Sequence, residues 1–121
     1  MYCPVCGFKL IKELVPGSIC DCCGYEYDVT DYITLEELEI SKDYKNFILN
    51  SLQNKILDLN INKENVLPID IVHEILRSKW IYYGCKWKWN DKNKKPKDWG
   101  IDRAKKQLQN INIDIDIYLK Q

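Results

Sequence analysis

The residues best equipped for chemistry are Cys3-Pro4-Val5-Cys6-Gly7 and Cys20-Asp21-Cys22-Cys23-Gly24, two Cys-x-x-Cys-Gly units with thirteen residues between Cys6 and Cys20. Thiolate sulfur is a soft ligand suited to zinc, and four thiolates fill a tetrahedral shell at about 2.3 Å. The doubled spacing predicts one structural Zn2+ per chain, held by Cys3, Cys6, Cys20 and Cys23. Such a centre has no open position, so it supplies folding energy rather than an activated water. The glycine after each second cysteine fits the same reading, because a knuckle curling around sulfur needs positive φ there, which glycine tolerates. Cys22 as ligand would break the likeness of the two units. Four sulfurs suit iron as well.

Competing chemistries are weaker. Cys-Pro-Val-Cys has the outline of a redox dithiol, but no βαβ pattern surrounds it and a second pair sits nearby. Cys22 and Cys85 are left over, the first as a small spacer and the second as a small apolar residue beside Trp80 and Trp87. The only histidine, His73, lies mid-helix next to Glu74. Adjacent helical side chains diverge, so these two do not make an acid–base pair. No glycine-rich phosphate loop is present. No catalytic residues are expected, and the chain is predicted not to be an enzyme.

The elements that must position the cysteines come next. "FKLIKELV" reads as a short strand, "PGS" as a turn and "YEYDV" as a second strand, so residues 1–31 are expected to form a zinc-ribbon β-hairpin. Residues 32–121 are expected to form a mainly helical body with a C-terminal strand, making one unit with the ribbon. "TLEE" is a capping box at Thr34, with Ser41 marking a possible break. Tyr44, Phe47, Ile48, Leu52, Ile56 and Leu59 then give a helical apolar face. Pro68 suits the first turn of another helix, and Gly84 its stop. After the loop "KWKWNDKNKKPKDWG", "DRAKKQLQNI" is a short helix with Asp98 as a cap candidate. Ile111, Ile113, Ile115, Ile117 and Leu119 alternate with polar residues, the pattern of a strand. A lone strand needs a partner, from this chain or from a second copy. The expected class is α+β.

With 121 residues, 45% of them apolar, the chain can build a real core. No apolar run is long enough to span a membrane. "MYCPVCG" lacks the basic and apolar regions of a signal peptide. Six cysteines then point to metal in a reducing, cytoplasmic setting. The formal charge is zero overall, yet residues 1–40 set eight acids against Lys9 and Lys12 for a net of −6. Residues 86–106 set nine bases against Asp91, Asp98 and Asp102 for a net of +6. The asymmetry suits either internal complementarity or a charged partner.

In the basic stretch 86–99, Lys86, Lys88, Lys92, Lys94, Lys95 and Lys97 interleave with Trp87, Trp89 and Trp99. Lysines can neutralise phosphates and tryptophans can stack on bases, which allows a nucleic-acid reading. The acidic zinc module opposes it, and tryptophans around a loop commonly pin that loop to a core.

The combination "CPVCG…ICDCCGYEYD…KWIYYGCKWKW…KKPKDWG…QLQNI" resembles a group of small bacterial cysteine-rich proteins with a CPxCG knuckle and a CPCC knuckle. The matching later pieces are Trp80, Gly84, Trp87, Pro96, Trp99, Gln107, Leu108 and Ile111. Asp21 stands where the group more often has proline. Similar proteins occur as immunity proteins of bacterial polymorphic-toxin and contact-dependent-inhibition systems. The resemblance therefore implies a non-enzymatic, zinc-stabilised protein that binds and neutralises a toxin domain. Charge complementarity with a basic toxin would use the acidic side, including Glu26, Asp28 and Asp31. Residues 34–66 are longer and more helical than the group's usual linker, and the tail 112–121 is an addition.

Overall fold

The computed structural model describes residues 1–89 and 95–119. Lys92 and Lys94 of the basic stretch lie outside the described residues. Among the described residues, six helices follow the cysteine units: α1 (Leu35–Ile40), α2 (Tyr44–Phe47), α3 (Asn50–Asp58), α4 (Ile69–Tyr82), α5 (Ile101–Gln109) and α6 (Asp116–Leu119).

Helix α4 organises the molecule. Pro68 sits at its N-cap, and Gly84, at φ 95°, lies just past its end. Its N-terminal half contributes Ile71, Val72 and Ile75 to one apolar cluster with Leu38, Phe47, Ile48, Leu52 and Ile56 of the α1–α3 region. Its C-terminal half contributes Trp80 and Ile81 to a second cluster with the cysteine units, Ala104 and Leu108 of α5, and Ile115. A helix buried on several faces this way acts as a spine between two half-cores.

Local chemistry explains the helix boundaries. The Thr34 hydroxyl accepts the Glu37 N–H at 3.1 Å, the first half of a capping box. The chain breaks after α1 at Ser41 and again at Ile48 and Leu49, whose backbones are extended. The apolar period over 44–59 is therefore divided between two helices, and the buried residues of both still reach the same cluster. Asp98 does not cap α5: Gly100 takes the N-cap position, and Asp98 pairs with Arg103 at 3.1 Å.

The α+β expectation is overturned. The described residues form no sheet, only three isolated bridges: Tyr2↔Lys9, Ile19↔Glu26 and Thr34↔Val66. "FKLIKELV" and "YEYDV" do not pair with each other. Each cysteine unit closes on itself instead, Leu10 N–H reaching Met1 O and Tyr27 N–H reaching Ser18 O. Knuckle residues that curl around sulfur spend their backbone groups locally, leaving residues 10–15 outside any ladder.

The C-terminal strand is not formed either. Asn112 takes φ 59°, Ile113 N–H returns to Leu108 O, and the Asp114 carboxylate caps Asp116 N–H at 2.9 Å. Asparagine and aspartate at alternate positions offer turns and caps that compete with a strand. Ile115 is fully buried, but Ile117 and Leu119 are exposed, so the alternating apolar face does not exist. With no strand there, its proposed pairing with a second copy loses its basis. Among the described residues, no helix is long and apolar enough to cross a membrane.

Candidate metal centre

The two knuckles have the same hydrogen-bond pattern. In the first, Gly7 N–H donates to Cys3 O and Cys3 N–H to Phe8 O; in the second, Gly24 N–H donates to Cys20 O and Cys20 N–H to Tyr25 O. Gly7 and Gly24 have φ 80° and 83°, as the spacing requires. For Gly7 the constraint is also steric. A Cβ there would lie 2.3 Å from the backbone oxygen of Gln107, so α5 packs directly on the first knuckle.

This packing brings the sulfurs of Cys3, Cys6, Cys20 and Cys23 within 4.8 Å of one another. A tetrahedron with bonds of about 2.3 Å has edges of about 3.8 Å. Two opposite edges already match: Cys3 Sγ to Cys23 Sγ is 3.8 Å and Cys6 Sγ to Cys20 Sγ is 3.7 Å. Four cysteines are thus placed to hold a metal ion, two from each knuckle. Cys3, Cys6 and Cys20 are buried, and Cys23 is half-buried.

The protonation chemistry points the same way. Burial first, then the neighbouring cysteines, pushes the Cys6 thiol far above the usual thiol range. Hydrogen bonding from Cys23, then Cys3 and Cys6, holds Cys20 far below it. Four unscreened thiolates cannot share one buried site. A bound dication removes that conflict and lets all four ionise.

Cys22 is buried but stands outside the four-sulfur group. Its Sγ accepts from Gln107 Nε2 at 3.4 Å, and the same amide donates to Cys6 O at 3.1 Å. Cys85 sits in the second cluster, where burial and then the charge of Cys22 raise its thiol to about 12. An un-ionised buried thiol is inert, so Cys85 does not behave as a nucleophile.

Two buried polar groups bind the knuckles to α4, and neither has a local signature in the sequence. Arg77 is only 5% exposed. Its Nε donates to Val5 O at 2.8 Å, one terminal nitrogen to Pro4 O at 2.7 Å and the other to the Tyr118 hydroxyl at 3.1 Å. The guanidinium thus clamps the two residues between Cys3 and Cys6, and its charge opposes the two negative charges a zinc tetrathiolate would carry.

The second group is Tyr25, Asp31 and His73. The Tyr25 hydroxyl donates to Asp31 Oδ1 at 2.8 Å, His73 Nε2 lies 2.8 Å from the same oxygen, and Asp28 N–H donates to Oδ2 at 2.9 Å. Burial disfavours the Asp31 carboxylate, but the hydrogen bonds from Tyr25, His73 and Asp28 prevail and hold it below the usual carboxylate range. Asp31 is 5% exposed and therefore not part of an acidic surface. Asp28 is exposed and accepts from the Tyr32 hydroxyl, and Glu26 is half-buried. Residues 31 and 73 are 42 positions apart, so no periodicity could have paired them.

The basic stretch divides. Trp87 is buried, edge-on to Phe8 at 5.5 Å and to Trp99 at 5.3 Å. Trp99 donates its indole N–H to Cys85 O, and Trp80 donates to Lys86 O. Those tryptophans belong to the core around the metal centre. Trp89 is exposed, with Lys88 Nζ 6.0 Å from its ring centre, and Lys86, Lys88, Lys95 and Lys97 are exposed. Comparison of the chain with protein-family models, curated proteins and solved structures gives no match.

Proposed function

We propose that the chain is a non-enzymatic, cytoplasmic, zinc-stabilised protein-interaction module, and that it serves as an immunity protein which binds and neutralises a toxin domain. The observation that carries this reading is the closed four-cysteine cage, clasped by α5 and by Arg77 of α4. Four sulfurs leave a zinc ion no position for water or substrate, so the metal's contribution is to folding. Zinc is preferred to iron because a redox-inert ion suits a purely structural role.

The resemblance to cysteine-rich immunity proteins supports the partner class, and the distribution of exposed acids supports the choice of face. Trp80, Trp87, Trp99, Gln107 and Leu108, which carry the resemblance, all lie in or against the cluster around the cysteines. They build the clasp. The region beyond them, α1 to α3, presents Glu36, Glu37 and Glu39 to solvent. Glu39 pairs with Lys63 at 3.4 Å, which leaves Glu36 and Glu37 as the α1 acids that a basic toxin domain would meet. Burial of Trp87 and partial burial of Trp99 remove two of the three stacking platforms that a nucleic-acid reading needs.

The test has two steps: a toxin reading frame is expected immediately upstream of this chain's gene, and the chain is then co-expressed with that toxin domain. The zinc-loaded chain should co-purify with it and restore growth, and Glu36→Lys with Glu37→Lys should lose protection while keeping metal and fold. Failure of the intact chain to bind or protect against such a domain would reject the immunity reading.

A further inference from the structure

A cleft of about 340 Å³ lies between the second knuckle and the C-terminal half of α4. That is the small end of the range for specific ligand pockets, about 300–1,000 Å³. Val5, Leu76 and Trp80 contribute apolar surface, and three lysines, Lys79, Lys86 and Lys88, line it as well. None of the eleven lining residues is acidic. Among the described residues, none of these lysines forms a salt bridge within 4.0 Å. Asp43, whose carboxylate is held low first by the Tyr83 hydroxyl and feels the charge of Lys79, is not part of the lining.

The lysines are mounted on fixed backbone. Lys79 is within α4. The carbonyl of Lys86 accepts the Trp80 indole N–H at 3.0 Å. Lys88 N–H donates to Cys22 O at 2.7 Å, and the Lys88 stem lies so close to Gly24 that a Cβ there would come within 2.9 Å of it. The two negative charges of a zinc tetrathiolate would not cancel three lysines with Arg77 buried behind the first knuckle. An apolar floor under a rim of three lysines that form no salt bridge among the described residues is complementary to a short acidic segment carrying one large apolar side chain.

We propose that this cleft is a docking site for an acidic peptide segment of a protein partner, with one apolar side chain seated against Leu76 and Trp80 and flanking carboxylates on Lys79, Lys86 and Lys88. A nucleic acid fits it less well, since backbone tracking needs cations spread along a groove, whereas these three lysines line one small cleft. This surface differs from the acidic one on α1, so its test is independent of the toxin reading.

The probe is a fluorescein-labelled peptide with two glutamates on each side of a leucine or a phenylalanine, titrated with the zinc-loaded full chain by anisotropy. Saturable binding is expected for at least one of the two, with affinity at least tenfold weaker when glutamine replaces glutamate. Each of Lys79→Ala, Lys86→Ala and Lys88→Ala should weaken binding by about two- to five-fold, the scale of exposed ion pairs. The triple variant should abolish it, while Lys106→Ala leaves it unchanged. Metal content and circular dichroism confirm that each variant is folded. Absence of binding by both acidic peptides, equal binding of the glutamine peptides, or full binding by the folded triple variant would overturn the proposal. So would tighter, competing binding of a single-stranded oligonucleotide.

Discussion

Replacing Arg77 by methionine removes a buried cation and the three hydrogen bonds it donates, to Val5 O, Pro4 O and the Tyr118 hydroxyl. Hydrogen bonds to charged groups are worth about 1.5–3 kcal/mol each. Relief from burying the guanidinium returns several kcal/mol of that sum. The net expected loss is about 3 kcal/mol, a large share of the roughly 5–15 kcal/mol that holds a domain of this kind together. The melting temperature should fall by about 10 °C. Arg77→Lys keeps the charge but cannot span two carbonyls, and should lose about half as much. Because metal binding and folding are linked, unfolding must be followed at one fixed free zinc concentration. The electrostatic part has its own readout: Arg77→Met should also weaken zinc in a chelator competition, and Arg77→Lys should weaken it less. If Arg77→Met unfolds within about 0.5 kcal/mol of the wild type, the typical scale of an inconsequential surface change, and holds zinc equally well, the clamp has no energetic role.

Other consequences can be checked on the same scale. Gly7→Ala forces a Cβ against the α5 backbone at positive φ and should cost about 3 kcal/mol or more, whereas Gly17→Ala, also at positive φ but in open space, should cost about 1–2 kcal/mol by denaturant titration. Asp31 has a depressed carboxyl pKa, so its contribution is present above the unfolded value, about 3.9, and lost only as pH falls through the lower folded one. Asp31→Asn should therefore cost about 2 kcal/mol at neutral pH, and that gap should not shrink between pH 8 and pH 5; a shrinking gap would show that the carboxylate titrates in that window. Among the described residues the buried indole N–H of Trp87 has no partner, while Trp80 and Trp99 donate theirs to backbone carbonyls. Trp87→Phe should accordingly destabilise by about 1 kcal/mol less than Trp80→Phe or Trp99→Phe, the value of one hydrogen bond.

The cysteine spacing was enough to pick out the four sulfurs that lie together, because two like units with trailing glycines leave Cys22 out of register. The same holds for Thr34, Ser41, Pro68 and Gly84, whose effects on the backbone are local. What could not be read depended on distant partners. Alternation from Ile111 to Leu119 predicts a strand, but it is overridden by the Asp114 cap and the positive φ of Asn112. The two short segments of the cysteine module have strand-like composition, yet each knuckle closes on itself before they can pair. Asp31 counted as a surface acid until His73 and Tyr25 were found around it, and Arg77 gave no sign that it reaches back 72 residues to Val5. Charge summed over residues 1–40 therefore overstates the acidity of the surface.

The most direct measurement is the metal content of three proteins purified in parallel: wild type, Cys22→Ser and Cys23→Ser. The wild type should carry one zinc per chain, and Cys22→Ser should keep it, since Cys22 stands outside the cage and touches Gln107. Cys23→Ser should lose the metal or hold it far more weakly, and unfold more readily. Retention of zinc by Cys23→Ser together with its loss from Cys22→Ser would contradict the ligand assignment and the structural clasp built on it.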